Sequence, residues 1–177
     1  MKLLIASDIH CHVKATRQLI EKFNEEGCDR ILLLGDILYC HDFGEDEDEC
    51  NRDGVISLLN SYADKITMVR GNCDTDRDLE SLFFTVYASH NIFKLDGITV
   101  FASHGHRYSP LTPPTLSDGT VMLGGHTHRY AIARLKNGII YINPGAMDPG
   151  SESYAIYEDR SFKIKDFSGN TLAEITL

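Results

Sequence analysis

The stretch 2-KLLIASDIH-10 sets a near-continuous apolar run directly before an aspartate and a histidine. A short apolar run without alternation reads as a strand buried on both faces, and the polar pair marks where the chain leaves the sheet. The pattern recurs. The run 30-RILLLGD-36 ends on Asp36, and 65-KITMVRGNCD-74 ends on Asn72, Cys73 and Asp74. Further on, 98-ITVFASHGH-106 delivers His104 and His106, and 120-TVMLGGHTH-128 delivers His126 and His128. These are read as five consecutive core strands. In open α/β sheets the loops at the carboxyl edge gather around one crevice, so these polar groups are expected to meet.

The intervening segments fit that frame. From Lys14 to Glu26, Leu19, Ile20 and Phe23 fall on one helical face, and Gly27 follows as a stop. Val55, Ile56, Leu58, Leu59 and Tyr62 have helical spacing as well. The back half is strand-rich: 130-YAIARL-135, 138-GIIYINPG-145, 153-SYAIYED-159 and 161-SFKIKDF-167 are short runs between turn residues. The expectation is one α/β domain over residues 1–177, with a βαβ front half and two sheets packed face to face, helices outside.

Composition narrows the function classes. The chain has 177 residues, enough for one sizeable core, and 42% of them are hydrophobic. The opening apolar run is too short for a signal peptide, and no stretch approaches a membrane span. The five cysteines form no CxxC pair, so they are read as free thiols in a reducing cytoplasm. The net charge is −9, much of it in 41-HDFGEDEDEC-50, from Asp42 to Glu49. That run reads as a solvated loop, with a cation-attracting rim as the sharper alternative. No basic patch is available to neutralise a nucleic-acid backbone.

Carboxylates, imidazoles and one amide oxygen suit divalent ions such as Mn²⁺, Fe²⁺, Zn²⁺ or Co²⁺. Seven donors, Asp8, His10, Asp36, Asn72, His104, His126 and His128, exceed what one ion needs when it must also bind substrate. Two ions sharing a carboxylate use them, and Asp36 is the candidate bridge. Singly, each has a plainer reading as a cap, turn or hydrogen-bonded polar group; it is their coincidence at strand ends that argues for one site. His12 and His106 are read as supporting or substrate-facing groups, and His90 as structural.

The motifs DIH, LLLGD, VRGNCD, SHGH, GGHTH and YINPG, in this order over residues 1–150, resemble the calcineurin-like metallophosphoesterases. The nearest resemblance is to their small bacterial and archaeal branch, the YfcE-like phosphodiesterases. The resemblance implies a four-layer αββα sandwich. It also implies two divalent ions, Mn foremost with Fe, Zn, Co or Ni as alternatives. One ion would take Asp8, His10, Asp36 and His128, and the other Asp36, Asn72, His104 and His126. The implied reaction is hydrolysis of a small soluble phosphodiester by a metal-bound hydroxide, with Asn72, Cys73 and His106 as catalytic residues. Homo-oligomerisation is left open. The alternatives are a retromer-subunit-like scaffold of the same fold, or a phosphomonoesterase or nuclease of the superfamily. One position departs from the wider family. Cys73 stands where many members carry a histidine after GN that assists the leaving group, although the small-phosphodiesterase branch shares this cysteine. A thiol is a poor stand-in for imidazolium, so good leaving groups are expected to be preferred. Cys11 and His12 have no assigned role.

Overall fold

The computed structural model describes residues 1–40 and 50–177, so the acidic run Asp42 to Glu49 lies outside the described residues. Strands β1 (Leu3–Ala6), β2 (Arg30–Leu33) and β3 (Ile66–Val69) run parallel, connected through helices α1 (Val13–Glu25) and α2 (Arg52–Asn60). The short α3 (Asp76–Leu79) leads into β4 (Thr85–Tyr87), parallel to β3. Next come β5 (His90–Leu95), β6 (Ile98–Ser103), β7 (Val121–Leu123), β8 (Ala131–Arg134) and β9 (Ile140–Asn143), which form a mixed sheet in the order β5-β6-β7-β9-β8. The chain then returns through β10 (Ser153–Glu158), β11 (Ser161–Asp166) and β12 (Thr171–Thr176). Because β10 pairs antiparallel with β1, the first sheet has seven strands, β12-β11-β10-β1-β2-β3-β4.

Alternation along the central strands divides the core. Leu3, Ile5, Leu32, Leu34 and Val69 face Val100, Ala102, Val121, Leu123, Ile140 and Ile142 of the other sheet, forming the middle layer. The opposite faces carry Leu4, Ala6, Ile31, Leu33 and Met68, covered by Leu19, Ile20 and Phe23 of α1 and by Val55 and Leu59 of α2. Helix α1 stops where expected. Gly27 takes φ 64°, and the Cys28 N–H reaches back to the Phe23 carbonyl at 3.0 Å.

The α/β fold with two mixed sheets face to face is therefore present. On the outer face of the five-stranded sheet, Phe101, Met122 and Tyr141 are covered by Tyr108, Leu116 and Leu135 from the connecting segments. The strands that carry the DIH, GD, GNCD, HGH and HTH motifs are not consecutive. Three belong to the seven-stranded sheet and two to the other, with β4 and β5 between them in sequence. The strand ends still converge, because the sheets are stacked with their carboxyl edges together.

The cysteines differ from expectation. Cys40 and Cys50 form a disulfide with Cα atoms 6.2 Å apart, whereas Cys11, Cys28 and Cys73 are free. The pairing follows from tertiary closure, which spacing alone does not reveal. A bridge between His12 and Cys50, and a 3.0 Å bond from the Asn51 N–H to the Cys11 carbonyl, return the chain to where it left. Among the described residues no helix is long and apolar enough to cross a membrane.

Candidate metal centre

Backbone bonds lock the ligand-bearing loops together before any side chain is considered. Behind β1 and β2, the Asp8 N–H donates to the Gly35 carbonyl at 3.0 Å and the His10 N–H to the Asp36 carbonyl at 3.1 Å. Across the sheets, the Gly125 N–H meets the His104 carbonyl at 2.6 Å, and the His126 N–H meets Asp8 Oδ2 at 2.9 Å. Two glycines permit this closeness. A Cβ on Gly71 would collide with Asp36 Oδ1, and one on Gly125 would lie 2.7 Å from Asp8 Oδ2.

The loops are also strained. Among the described residues, nine non-glycine positions have positive φ, and five of them are Asp8, Asp36, His10, His126 and His128. Left-handed backbone is costly for a side chain with a Cβ, and it persists where surrounding structure enforces it, commonly at functional sites.

The enforced geometry brings the donors into two neighbouring groups. Asp8, His10 and His128 each offer a donor atom within 4.8 Å of the others, and so do Asp36, His104 and His126. Within the first, Asp8 Oδ1 lies 3.4 Å from His128 Nε2 and 3.8 Å from His10 Nε2. Within the second, His104 Nε2 lies 3.2 Å from Asp36 Oδ2 and 3.0 Å from Asn72 Oδ1. His104 Nε2 also stands 3.9 Å from Asp8 Oδ1, linking the groups. Asp36, expected as the bridge, sits in the second group.

A test of fit to a cation comes from the tautomers. His104 Nδ1 faces the Leu34 carbonyl at 2.8 Å, and His10 Nδ1 faces the Tyr39 carbonyl at 2.9 Å. A carbonyl only accepts, so each Nδ1 carries a proton, and in the neutral ring Nε2 is left as the lone-pair nitrogen. In the second group a lone pair, a carboxylate oxygen and an amide oxygen thus confront one another. Asp8 Oδ1 is buried and has no hydrogen-bond partner among the described residues. Converging acceptors of this kind repel unless a proton or metal ion stands among them, and the donor set suits a divalent ion.

The protonation tendencies agree. Burial alone would raise the Asp8 carboxyl, but the neighbouring His10, His128 and His104 rings hold it well below the usual range. Burial likewise opposes the ionised form of Asp36, and His104 overcomes it. Burial lowers the His104 pKa, but the Asp36 hydrogen bond and the charges of Asp8 and Asp36 raise it overall, so a proton takes the cation's place. His128 is raised to about 10, chiefly by its hydrogen bond to Asp148 and then by Asp8.

The remaining sequence-derived residues divide. Asn72 joins the second group through its contact to His104, and its Nδ2 donates to Cys73 Sγ at 3.1 Å. Cys73 donates its N–H to Asp36 Oδ1 at 2.8 Å, and burial together with the Asp36 charge pushes its thiol up to about 12. His106 is exposed beside the second group, its ring 5.4 Å from His104. His12 is buried at the start of α1, in a separate cavity with Lys14, Gln18 and Met147. His90 stacks on Phe101 at 5.0 Å and meets Ser89 Oγ, as a structural residue would. Asp74 is no ligand. It accepts from the Asp36, Ile37 and Gly71 N–H groups and holds the two loops together. Two residues were missed: Asp148, whose Oδ2 lies 2.8 Å from His128 Nδ1, and Asn143, whose Nδ2 donates to the Gly125 carbonyl at 2.9 Å.

Residues 1–160 match the family model of the calcineurin-like phosphoesterase superfamily domain. The chain belongs to that superfamily. Among curated relatives of this phosphoesterase, phosphodiesterase YfcE of Escherichia coli K12 is 34% identical over 147 residues, covering 83% of this chain and 79% of its own. Phosphodiesterase MJ0936 of Methanocaldococcus jannaschii is 28% identical over 152 residues, covering 82% and 83%. The solved structure of the E. coli phosphoesterase YfcE superposes with a TM-score of 0.90 at 30% identity, covering 99% of both chains. A zinc complex of Vps29 from Entamoeba histolytica shares the fold, with a TM-score of 0.54 at 16% identity over 93% of this chain and 90% of its own. Family membership brings phosphoric ester hydrolysis and divalent metals with it.

Proposed function

We propose that this phosphoesterase is a binuclear, metal-dependent phosphodiesterase acting on a small phosphodiester, with Mn²⁺ the foremost metal and Fe, Zn, Co or Ni as alternatives. One observation carries the reading: two adjacent sets of oxygen and nitrogen donors, Asp8/His10/His128 and Asp36/His104/His126, each converge to within 4.8 Å around the buried Asp8 and Asp36 carboxylates. Asn72 completes the second set, and Asp36 is the carboxylate the two ions would share. Bound there, two divalent ions supply Lewis acidity toward phosphoryl oxygens and a lowered pKa for water.

The chain's own residues do the rest. The locked loops hold the donors in place before substrate arrives, so no reorganisation is needed when charge develops on the phosphoryl group. His106, exposed beside the second set, is placed to hydrogen-bond a phosphate oxygen or the leaving group. Its pKa is lowered by burial and by the charge of His104, which favours the neutral ring. Cys73 keeps its proton, so aryl leaving groups suit the site better than alkyl ones. A cavity of about 750 Å³ opens beside His128, with Tyr130, Phe167 and Leu172 against Arg129 and Glu152, room for a small organic substituent. A net charge of −9 disfavours nucleic acid as substrate.

The test is metal analysis of freshly purified protein, followed by chelation, reloading with single metals and assay on a panel of phosphodiesters and monoesters. Two equivalents of metal and restored diesterase activity are expected. A protein that takes up no metal, or reloads fully yet hydrolyses no ester, would overturn the reading.

A further inference from the structure

We infer that Asp148 is a positioning residue for the metal centre, fixing the His128 ring so that Nε2 is its metal-binding nitrogen. The inference rests on the metal-dependent reading above. In sequence Asp148 opens an unremarkable DPG turn and matches none of the family motifs quoted above. In space its Oδ2 lies 2.8 Å from His128 Nδ1. The other oxygen, Oδ1, is buried with no hydrogen-bond partner among the described residues. A half-buried carboxylate whose one enclosed oxygen is unsatisfied is unfavourable in isolation. It becomes reasonable where the imidazole it touches bears positive charge, from a proton or from an ion on its far nitrogen.

Comparison within the site sharpens the point. His10 and His104 have their Nδ1 atoms held by the backbone carbonyls of Tyr39 and Leu34, at 2.9 and 2.8 Å. Among the described residues, His128 is the one of these three whose Nδ1 meets a charged acceptor. A carboxylate behind a ligating imidazole fixes the tautomer and makes the ring a stronger donor, and loss of such a partner typically weakens metal binding by about 10–100-fold. The segment carrying Asp148 is anchored for this task. The Met147 N–H donates to the Asp8 carbonyl at 3.2 Å, and the Ser151 N–H donates to the Asp148 carbonyl at 3.0 Å. One short segment therefore holds the backbone of one ligand and the ring of another in the same donor group.

Two variants and two measurements test this. Asp148→Asn keeps an acceptor oxygen without the charge, and Asp148→Ala removes both. In the metal-free proteins, ¹⁵N NMR of the His128 ring reads its protonation and tautomer. Direct Mn²⁺ titration then reads stoichiometry and affinity. Wild type is expected to keep the proton on His128 Nδ1 once the ring is neutral. In Asp148→Ala the Nε2–H tautomer should appear, with one of two Mn²⁺ equivalents weakened roughly 10–100-fold and the other little changed. Asp148→Asn should fall between. Native tautomer and native affinity in both variants would overturn the inference and leave Asp148 a turn residue. Because Asn is nearly isosteric, it keeps the test decisive if the alanine variant folds poorly. Should wild type bind no metal, the functional reading fails, while the NMR comparison still decides what Asp148 does to His128.

Discussion

The two donor groups contain the same side chains, one carboxylate and two imidazoles, yet they are built differently. In Asp8/His10/His128, Asp8 and His10 are essentially inaccessible and His128 is backed by Asp148. In Asp36/His104/His126, His104 is buried, but His126 is exposed, and so is the neighbouring Asn72. The first group is the more enclosed socket, with only His128 part-exposed beside the cavity. The second is half open, with room for a substrate oxygen among the donors. Donor identity, which a sequence displays, therefore does not settle how a site works; what stands behind each donor does.

The largest effect should come from Asp36→Asn. Asp36 Oδ2 faces His104 and Oδ1 accepts the Cys73 N–H, so the change keeps the shape and removes the charge. Hydrolysis of an activated diester should fall by roughly 10³-fold, the scale of losing one preorganised electrostatic group. About half the bound metal should go with it. Loss of both ions would show that Asp36 serves the two groups equally, and two retained metals with normal turnover would remove Asp36 as the shared ligand on which the binuclear assignment was built.

The histidines of the HTH motif probe the comparison directly. His128→Ala should accelerate metal loss to a chelator by more than the roughly 10–100-fold expected for losing the carboxylate behind it, because the donor ring itself disappears. His126→Ala should cost less metal retention and relatively more kcat. Equal metal loss in both variants would erase the distinction between socket and open half.

A smaller effect, but one with a definite sign, concerns the stability of the metal-free protein. His128 has a folded pKa near 10, above the ordinary 6.5, so its contribution is complete below about pH 6.5 and is lost as pH rises through 10. Asp8 and Asp36 are lowered, so theirs is present above about pH 4 and lost as pH falls through their folded pKa values. The melting temperature should therefore be highest between these limits. It should decline by several degrees, about 5 °C, toward pH 10, a slope that His128→Ala flattens. A wild-type profile rising above pH 7 would contradict the His128–Asp148 pairing.

Most of the candidate site was legible because each donor follows an apolar run, and buried strands are the clearest signal a sequence carries. What escaped notice had ordinary local chemistry. Asp148 sits before Pro149 and Gly150 and looks like any turn aspartate. Asn143 acts through backbone atoms eighteen residues away, a contact only the folded chain makes. Strand β12 has no buried residue and alternates weakly, so as an edge strand it offered little contrast, and β4 is three residues long. The Cys40–Cys50 bond depended on the backbone at Asn51 meeting Cys11, which no spacing rule encodes.

The mildest change proposed, Cys73→His, examines the open half without touching a ligand. Cys73 is anchored to Asp36 through its N–H and to Asn72 through its Sγ, and its thiol is raised to about 12 by burial and the Asp36 charge. Such a group donates no useful proton to a departing alkoxide, whereas a nitrophenolate needs none. Wild type should therefore show a steep fall of kcat/KM with rising leaving-group pKa. An imidazolium at this position could protonate the leaving oxygen, so Cys73→His should flatten the slope, gaining several-fold to about tenfold on alkyl esters and little on aryl esters. The opposing view is that Cys73 only packs under the loop and holds Asn72. A histidine would then disturb Asn72 and lower every rate alike. Measuring kcat/KM across aryl and alkyl esters, with metal content matched between the proteins, separates the two. Parallel slopes with uniformly reduced rates would leave Cys73 a packing residue and shift the burden of leaving-group protonation to His106 or to water.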